Sequence, residues 1–283
     1  MTHTVISVDG SRYLRWQADL LAFSHRRAGQ PGPLTRLWSA REPPPAFAGR
    51  TFRAEPEPAP RAGAHDYPPL NRPRALHAWL RVAPPAEETV LILDPDCVFL
   101  APLAEPAYRG DPVAQPIGYL DPECYRELVR RHCRRPGAVQ GMGIPVLIHR
   151  DDLAALLPPW LEKTEAIRGD ARSRALAGWV AEMWGYALAA AEAGMRHTLR
   201  ETARFSTEDR ADLPIVHYCY ACADPSGRWR WDKRSHLPWT CVAEPPAGTP
   251  RAAVALIGLL NEWVAEEGHR IPPGSAPRWR RHR

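Results

Sequence analysis

Apolar residues recur along the chain at two spacings, one of strands and one of helices. Residues 3–8 (HTVISV) are β-branched and run into Asp9-Gly10-Ser11, which predicts a strand followed by a loop. In RYLRWQADLLAFSHRRAG, Trp16, Leu20, Leu21 and Phe23 fall at helical spacing and Gly29 marks a stop, so a helix is expected. GPLTRLWSA gives a second strand. Strand, helix and strand in this order predict a parallel sheet with a right-handed crossover. Residues 42–70 are rich in proline and poor in pattern, and they read as a long edge loop of a kind that often has a function. NRPRALHAWLRVA predicts a helix with Pro73 near its first turn. VLILDPDCVFL, residues 90–100, is the most apolar strand and suits a central place covered on both faces.

Residues 144–148 predict another strand, followed by a helix capped around Asp151 and Asp152. Residues 178–195 (GWVAEMWGYALAAAEAGM) pattern as an amphipathic helix that stops at Gly194. Residues 212–220 (DLPIVHYCY) predict a late strand, and residues 249–268 a terminal helix. There are no internal repeats. The expectation is one α/β domain over residues 1–245, with a C-terminal helix and basic tail at 246–283 packed on it.

The strand of residues 90–94 ends in Asp94 and Asp96, with only a proline between them. Two carboxylates at i and i+2 beyond the C-terminal end of a parallel strand sit where α/β folds bind ligands. Oxygen ligands at that spacing suit Mg²⁺ or Mn²⁺, ions that bind substrate phosphates. Pro95 stiffens the turn by fixing its φ. This points to a metal bridging protein and diphosphate, as in nucleotide-sugar glycosyltransferases of the GT-A type. A further ligand from a distant strand is expected, and His217 in PIVHYCY is the candidate. Lys233 and Arg234 downstream would neutralise a leaving diphosphate, as cationic clamps do for phosphoryl groups.

Composition narrows the classes. The 283 residues can bury a substantial core, and 45% hydrophobic with 24% charged residues is ordinary for a globular protein. The apolar runs fall short of the roughly 20 residues that span a bilayer. MTHTVISVDG has no basic stretch leading into an apolar one, so no signal peptide is read and a cytoplasmic protein is expected. Its 6 cysteines are then expected to be free thiols. Cys219 and Cys222 form a C-x-x-C, but without the second half that a zinc site needs. The net charge of +5 concentrates in residues 126–135 and in the tail 278–283. No nucleic-acid motif focuses it, so a solvated helix face and a frayed terminus are expected instead.

Taken together, the chain resembles the plant and algal hydroxyproline O-arabinosyltransferases and the related peptidyl serine α-galactosyltransferases. The resemblance runs from Thr4 to Trp263 and is carried by ordered segments: Tyr13 with Trp16-Gln17, SHRRAGQPGPLTRLWS, HDYPPLNRPRALHAWL, ILDPDCVF, PPWLEKTEAIRGD, GWVAEMWGYALAAAEAGMRH, IVHYCY and WRWDKRSH. It implies a GT-A fold with a mostly parallel central sheet flanked by helices. It also implies a UDP-sugar donor, a divalent metal (Mn²⁺, or Mg²⁺) and retention of anomeric configuration. The implied acceptor is a hydroxyl such as that of hydroxyproline or serine in a peptide, or of a small molecule. Arabinofuranose and galactose are the implied sugars. The plant enzymes carry a membrane anchor or signal that is not recognisable here, and Cys97 follows the acidic pair where relatives carry another residue.

On this reading Asp9 and the loop to Tyr13 hold uridine, with Gln17 supporting the loop; Tyr13 and Gln17 would serve helix-start packing equally well. Asn71 and Arg72 open a helix beside the metal strand, where Arg72 either reaches the diphosphate or sugar or is a solvated first-turn residue. Asp94, Asp96 and His217 hold the metal. Glu182, between Trp179 and Met183, either faces the site, where it positions the acceptor hydroxyl or stabilises an oxocarbenium-like centre, or forms a salt bridge with an arginine such as Arg196; Glu182 and Asp94 are the catalytic candidates. Trp179, Trp184 and Tyr186 would line a sugar or proline platform, or pack in the core. The competing classes are a degenerate sugar- or peptide-binding module and a nucleic-acid-associated protein.

Overall fold

β1 (Thr2–Val8) leads into α1 (Arg12–Arg27), and then come β2 (Leu34–Trp38), β3 (Arg50–Arg53), α2 (Asn71–Val82) and β4 (Thr89–Leu93). After β5 (Cys97–Phe99) and β6 (Val113–Pro116) the chain forms α3 (Arg126–His132), β7 (Met142–His149), α4 (Arg150–Gly169), α5 (Ala171–Ala177) and α6 (Ala181–Glu192). The last third holds β8 (Thr198–Leu199), β9 (Ala203–Phe205), β10 (Ile215–His217), β11 (Cys222–Ala223), β12 (Arg230–Trp231) and α7 (Arg251–Glu267). This is a computed structural model, and it describes residues 1–54, 67–103 and 105–267. The basic tail and residues 55–66 of the proline-rich stretch lie outside the described residues.

One sheet of seven strands runs β3-β2-β1-β4-β7-β6-β8. β3, β2, β1 and β4 are mutually parallel, and β7 is antiparallel to both β4 and β6. β4 is buried at every position, as a central strand covered on both faces should be. A smaller sheet, β5-β10-β9, stands at the C-terminal end of β4, with β10 antiparallel to β5 and His217 opposite Cys97. α1 is packed on both sides. Ala18, Leu21 and Ala22 join the main core, while Trp16, Leu20 and Phe23 join a second core with Leu256, Ile257 and Leu260 of α7.

Three sequence expectations change. The stretch 42–70 is not all loop, because residues 50–53 add β3 to the sheet edge. The cap of α4 is His149, which accepts from the Asp151 amide; Asp151 and Asp152 sit in the first turn. α6 is not amphipathic. Only Met183 and Glu192 of its residues are less than fully buried, so it is an interior helix wedged between the sheet and α4.

Gly185 permits that wedge. A Cβ there would collide with Thr164 Oγ1 and lie 3.0 Å from the Thr164 backbone nitrogen. Gly185→Ala is therefore expected to overpack the α4–α6 contact at a cost of roughly 1–3 kcal/mol. Thermal denaturation would read this as a Tm lower by roughly 3–10 °C. An unchanged Tm would mean that α4 moves aside freely.

Candidate functional site

β1 has β2 on one side and β4 on the other, so successive strands add in opposite directions from it. The crevice beyond the C-terminal ends of β1 and β4 is the switch point at which open α/β sheets take ligands. A cleft of ≈ 570 Å³ opens there. It gathers all eleven site residues expected from the sequence: Asp9, Tyr13, Gln17, Asn71, Arg72, Asp94, Asp96, Glu182, His217, Lys233 and Arg234.

Each reaches the cleft for a local reason. Gly10, at φ 82°, lets the chain turn off β1 against Trp38 and Ala40. Asp9 Oδ1 then accepts from the Ser11 amide at 2.9 Å, and Ser11 caps α1 by accepting from the Leu14 amide. Gln17 is fully buried and donates to the Tyr13 carbonyl at 2.6 Å, so it braces the turn. Asp94 and Asp96 sit on the turn from β4 to β5, where the Cys97 amide donates to the Asp94 carbonyl at 3.2 Å. The β5–β10 pairing explains His217. Its register partner is Cys97, which puts the imidazole next to Asp96. Cys97 is completely buried, and a small side chain fits that crowded cross-strand position.

His217 Nε2 lies 3.3 Å from Asp96 and 3.8 Å from Asp94. Donor atoms of the three residues lie within 4.8 Å of one another, the one such grouping among the described residues. Lys233 Nζ donates to Asp96 Oδ2, and Arg72 bridges Asp94 and Glu182, at 3.1 Å from the latter. Burial works against charge on Asp96, His217, Lys233 and Arg72, and the pairings decide the outcome. Burial opposes the Asp96 carboxylate, but His217 and Lys233 outweigh it and hold its pKa far below the aspartate range. Burial would likewise discharge His217 and Lys233, and Asp96 raises both. Arg72 follows the same pattern, with Asp94 and Glu182 overcoming its burial.

Glu182 is the exception. It is 2% exposed, and burial pushes its carboxyl up to about 7 despite Arg72, with Asp94 adding to the rise. The pair that holds Arg72 charged fails to hold Glu182 down, because Arg72 serves only one carboxylate oxygen and Glu182 Oε1 has no partner. Glu182 thus lines the cleft and also pairs with an arginine, which is Arg72 and not Arg196.

Two site residues escaped the sequence reading. Tyr67 is buried, and its hydroxyl donates to the Trp179 carbonyl at 2.6 Å and accepts from the Glu182 amide at 2.9 Å. Tyr119 lines the cleft from a 3₁₀ turn, Gly118–Leu120, within electrostatic reach of Asp94 and Asp96. Neither stands in a run with a strong pattern. Of the three aromatics weighed as a platform, Trp184 and Tyr186 are core, whereas Trp179 is 69% exposed. Cys219 lines the cleft and Cys222 is buried against the Trp231 carbonyl, and neither joins the acidic pair.

A sequence profile of the hydroxyproline O-arabinosyltransferase family N-terminal domain matches residues 2–199. The chain belongs to the hydroxyproline O-arabinosyltransferase family. It is 32% identical to hydroxyproline O-arabinosyltransferase 3 of Arabidopsis thaliana, over 93% of this chain and 80% of that protein. It is 30% identical to hydroxyproline O-arabinosyltransferase NOD3 of Pisum sativum, over 93% of this chain and 86% of that protein. The peptidyl serine α-galactosyltransferase of Arabidopsis thaliana is also 30% identical, over 87% of this chain but only 34% of that longer protein. The bifunctional glycosyltransferase WbbM, in its apo structure, shares the fold at a TM-score of 0.50 and 12% identity, over 95% of this chain and 51% of that one. This member of the family is an enzyme of the transferase class with a GT-A-like α/β fold. Asp94, Asp96, Arg72 and Glu182 fall inside the segment matched by the family profile, and His217 and Lys233 lie beyond it. No helix among the described residues is long and apolar enough to cross a membrane.

Proposed function

We propose that the protein is a retaining, metal-dependent glycosyltransferase. It moves a sugar, arabinofuranose or galactose, from a UDP-sugar to the hydroxyl of hydroxyproline or serine in a peptide. The observation that carries this reading is the convergence of Asp94, Asp96 and His217 at the switch point, joined through Arg72 to a buried carboxylate. The relatives named above act, by their names, on hydroxyproline and on peptidyl serine.

Two carboxylates and one imidazole fit Mn²⁺ or Mg²⁺, with Asp94, Asp96 and His217 as ligands. Such an ion, when bound, supplies Lewis-acid neutralisation of a diphosphate leaving group. The residues of the chain do the rest. Asp9, Tyr13 and Gln17 shape the end of the cleft that takes uridine. Asn71 and Arg72, at the start of α2, point cationic and amide groups at the donor, and Lys233 and Arg234 add positive charge beside the diphosphate. Glu182 lines the cleft, and its carboxylate accepts a hydrogen bond from the incoming hydroxyl and places negative charge near the sugar carbon as it becomes cationic. A front-face route, in which the donor phosphate takes the proton, then needs only positioning.

A hydrolysis screen of UDP-sugars with Mn²⁺ tests the reading, alongside thermal shift with UDP and Mn²⁺. Saturating ligand at about 100 times its Kd is worth roughly 2.7 kcal/mol, or a Tm rise of roughly 5–10 °C, and chelation of the metal should remove it. Absence of both turnover and protection for every UDP-sugar would end the proposal.

A further inference from the structure

Three exposed aromatic side chains line the cleft: Tyr13, Tyr119 and Trp179. Two belong to its charged end. Lys233 Nζ lies 5.8 Å over the Tyr13 ring, and Tyr119 is within reach of Asp94 and Asp96. Trp179 meets the ring of Tyr67 instead. It stands on a 3₁₀ turn, Gly178–Val180, that enters α6. It is 69% exposed, although Trp184 on the following helix is fully buried. What sets this indole apart from other exposed apolar side chains, such as Val82 and Tyr108, is that it lines the cleft.

Its placement is held tightly. The Tyr67 hydroxyl ties the Trp179 carbonyl to the Glu182 amide, at 2.6 and 2.9 Å. The Tyr67 ring meets the indole edge-on at 6.0 Å and itself carries the Arg168 guanidinium at 4.3 Å. An exposed indole is thereby fixed one turn from Glu182, which lines the same cleft and whose buried Oε1 has no partner. Pro68, Pro69, Val180 and Met183 make the neighbouring wall apolar.

We infer that Trp179 is the platform for the acceptor and that it selects a residue with a pyrrolidine ring. This rests on the transfer reading above. The flat indole face packs against a saturated five-membered ring, and the ring's hydroxyl is carried toward Glu182. A serine acceptor has no ring to offer and gains nothing from the platform.

The test compares wild type, Trp179→Ala and Trp179→Phe with two short peptides, one with a single hydroxyproline and one with serine in its place. Peptide binding is measured by calorimetry without donor, and KM values for donor and acceptor are measured in transfer. Trp179→Ala is expected to weaken the hydroxyproline peptide and raise its KM roughly tenfold, to move the donor KM less than twofold, and to lower the hydroxyproline-over-serine preference. Phenylalanine should restore most of the loss. An acceptor KM within twofold of wild type overturns the platform, as does a parallel rise of both KM values or a wild type that does not bind the peptide. If no UDP-sugar is turned over but peptide binding depends on Trp179, the donor assignment falls and the platform stands.

Discussion

Asp96→Ala is expected to abolish transfer and to weaken the fold at the same time. The carboxylate is buried, accepts from Lys233 and lies 3.3 Å from His217. Removing it leaves a buried ammonium with no counter-charge, and breaking such a pair costs roughly 3–5 kcal/mol. For a chain of this size that lowers Tm by about 10 °C. Transfer should fall by at least roughly a hundred- to a thousandfold, the scale of losing one preorganised contact to a reacting group. The double variant Asp96→Ala/Lys233→Met separates the effects. Removing the stranded cation should recover most of the Tm and none of the transfer. If the double variant regained activity, Asp96 would be a counter-ion for Lys233 and not a metal ligand. If Asp96→Ala alone kept a normal Tm, the Lys233 pair would contribute little to stability.

The parts of this site legible in the sequence were those written in short, strongly patterned runs. The apolar strand ending in Asp94 and Asp96 could be read because burial on both faces of a central strand forces a continuous apolar run. α1 declared itself by helical spacing, and α2 by a proline near its first turn. The small sheet was harder. β5, β9 and β10 have three residues each, too few for a period to show, and the strand expected over 212–220 is longer than the one the structure contains. His217 could be nominated from its chemistry, but only the β5–β10 register explains how it reaches Asp96. Glu182 was singled out as a charge among apolar neighbours, and its partner was missed because Arg72 is 110 residues away. Lys233 was expected on the diphosphate, and it is already paired with Asp96. α6 misled for a different reason. The helix is enclosed by sheet and helix alike, and its two glutamates, Glu182 and Glu192, imitate the polar side of an amphipathic face.

Glu182→Gln is expected to lose transfer by roughly a hundred- to ten-thousandfold while making the protein more stable above neutral pH. The sign follows from the shifted carboxyl. Burial raises Glu182 from 4.5 to about 7 in the folded protein. A raised acid gives stability that is fully present below pH 4.5 and is lost as the pH rises through about 7. At pH 8 the ionised side chain therefore stands at a disadvantage of roughly 3 kcal/mol relative to its protonated form, at about 1.4 kcal/mol per pH unit. Glutamine cannot ionise, so it avoids this loss, although it offers Arg72 a weaker acceptor than the carboxylate. The Tm difference between variant and wild type should lie near zero at pH 5 and reach roughly 5 °C in favour of glutamine at pH 8. Transfer should move oppositely. Wild-type kcat/KM is expected to rise as the pH passes about 7 and the carboxylate forms, and the variant should lack that rise. Near-normal transfer by the variant would remove Glu182 from the chemistry. A Tm lowered equally at both pH values would mean that the Arg72 pair outweighs the burial of the charge. A site that costs stability exactly where its carboxylate must be ionised to work is the pattern expected of a residue kept for reaction and not for folding.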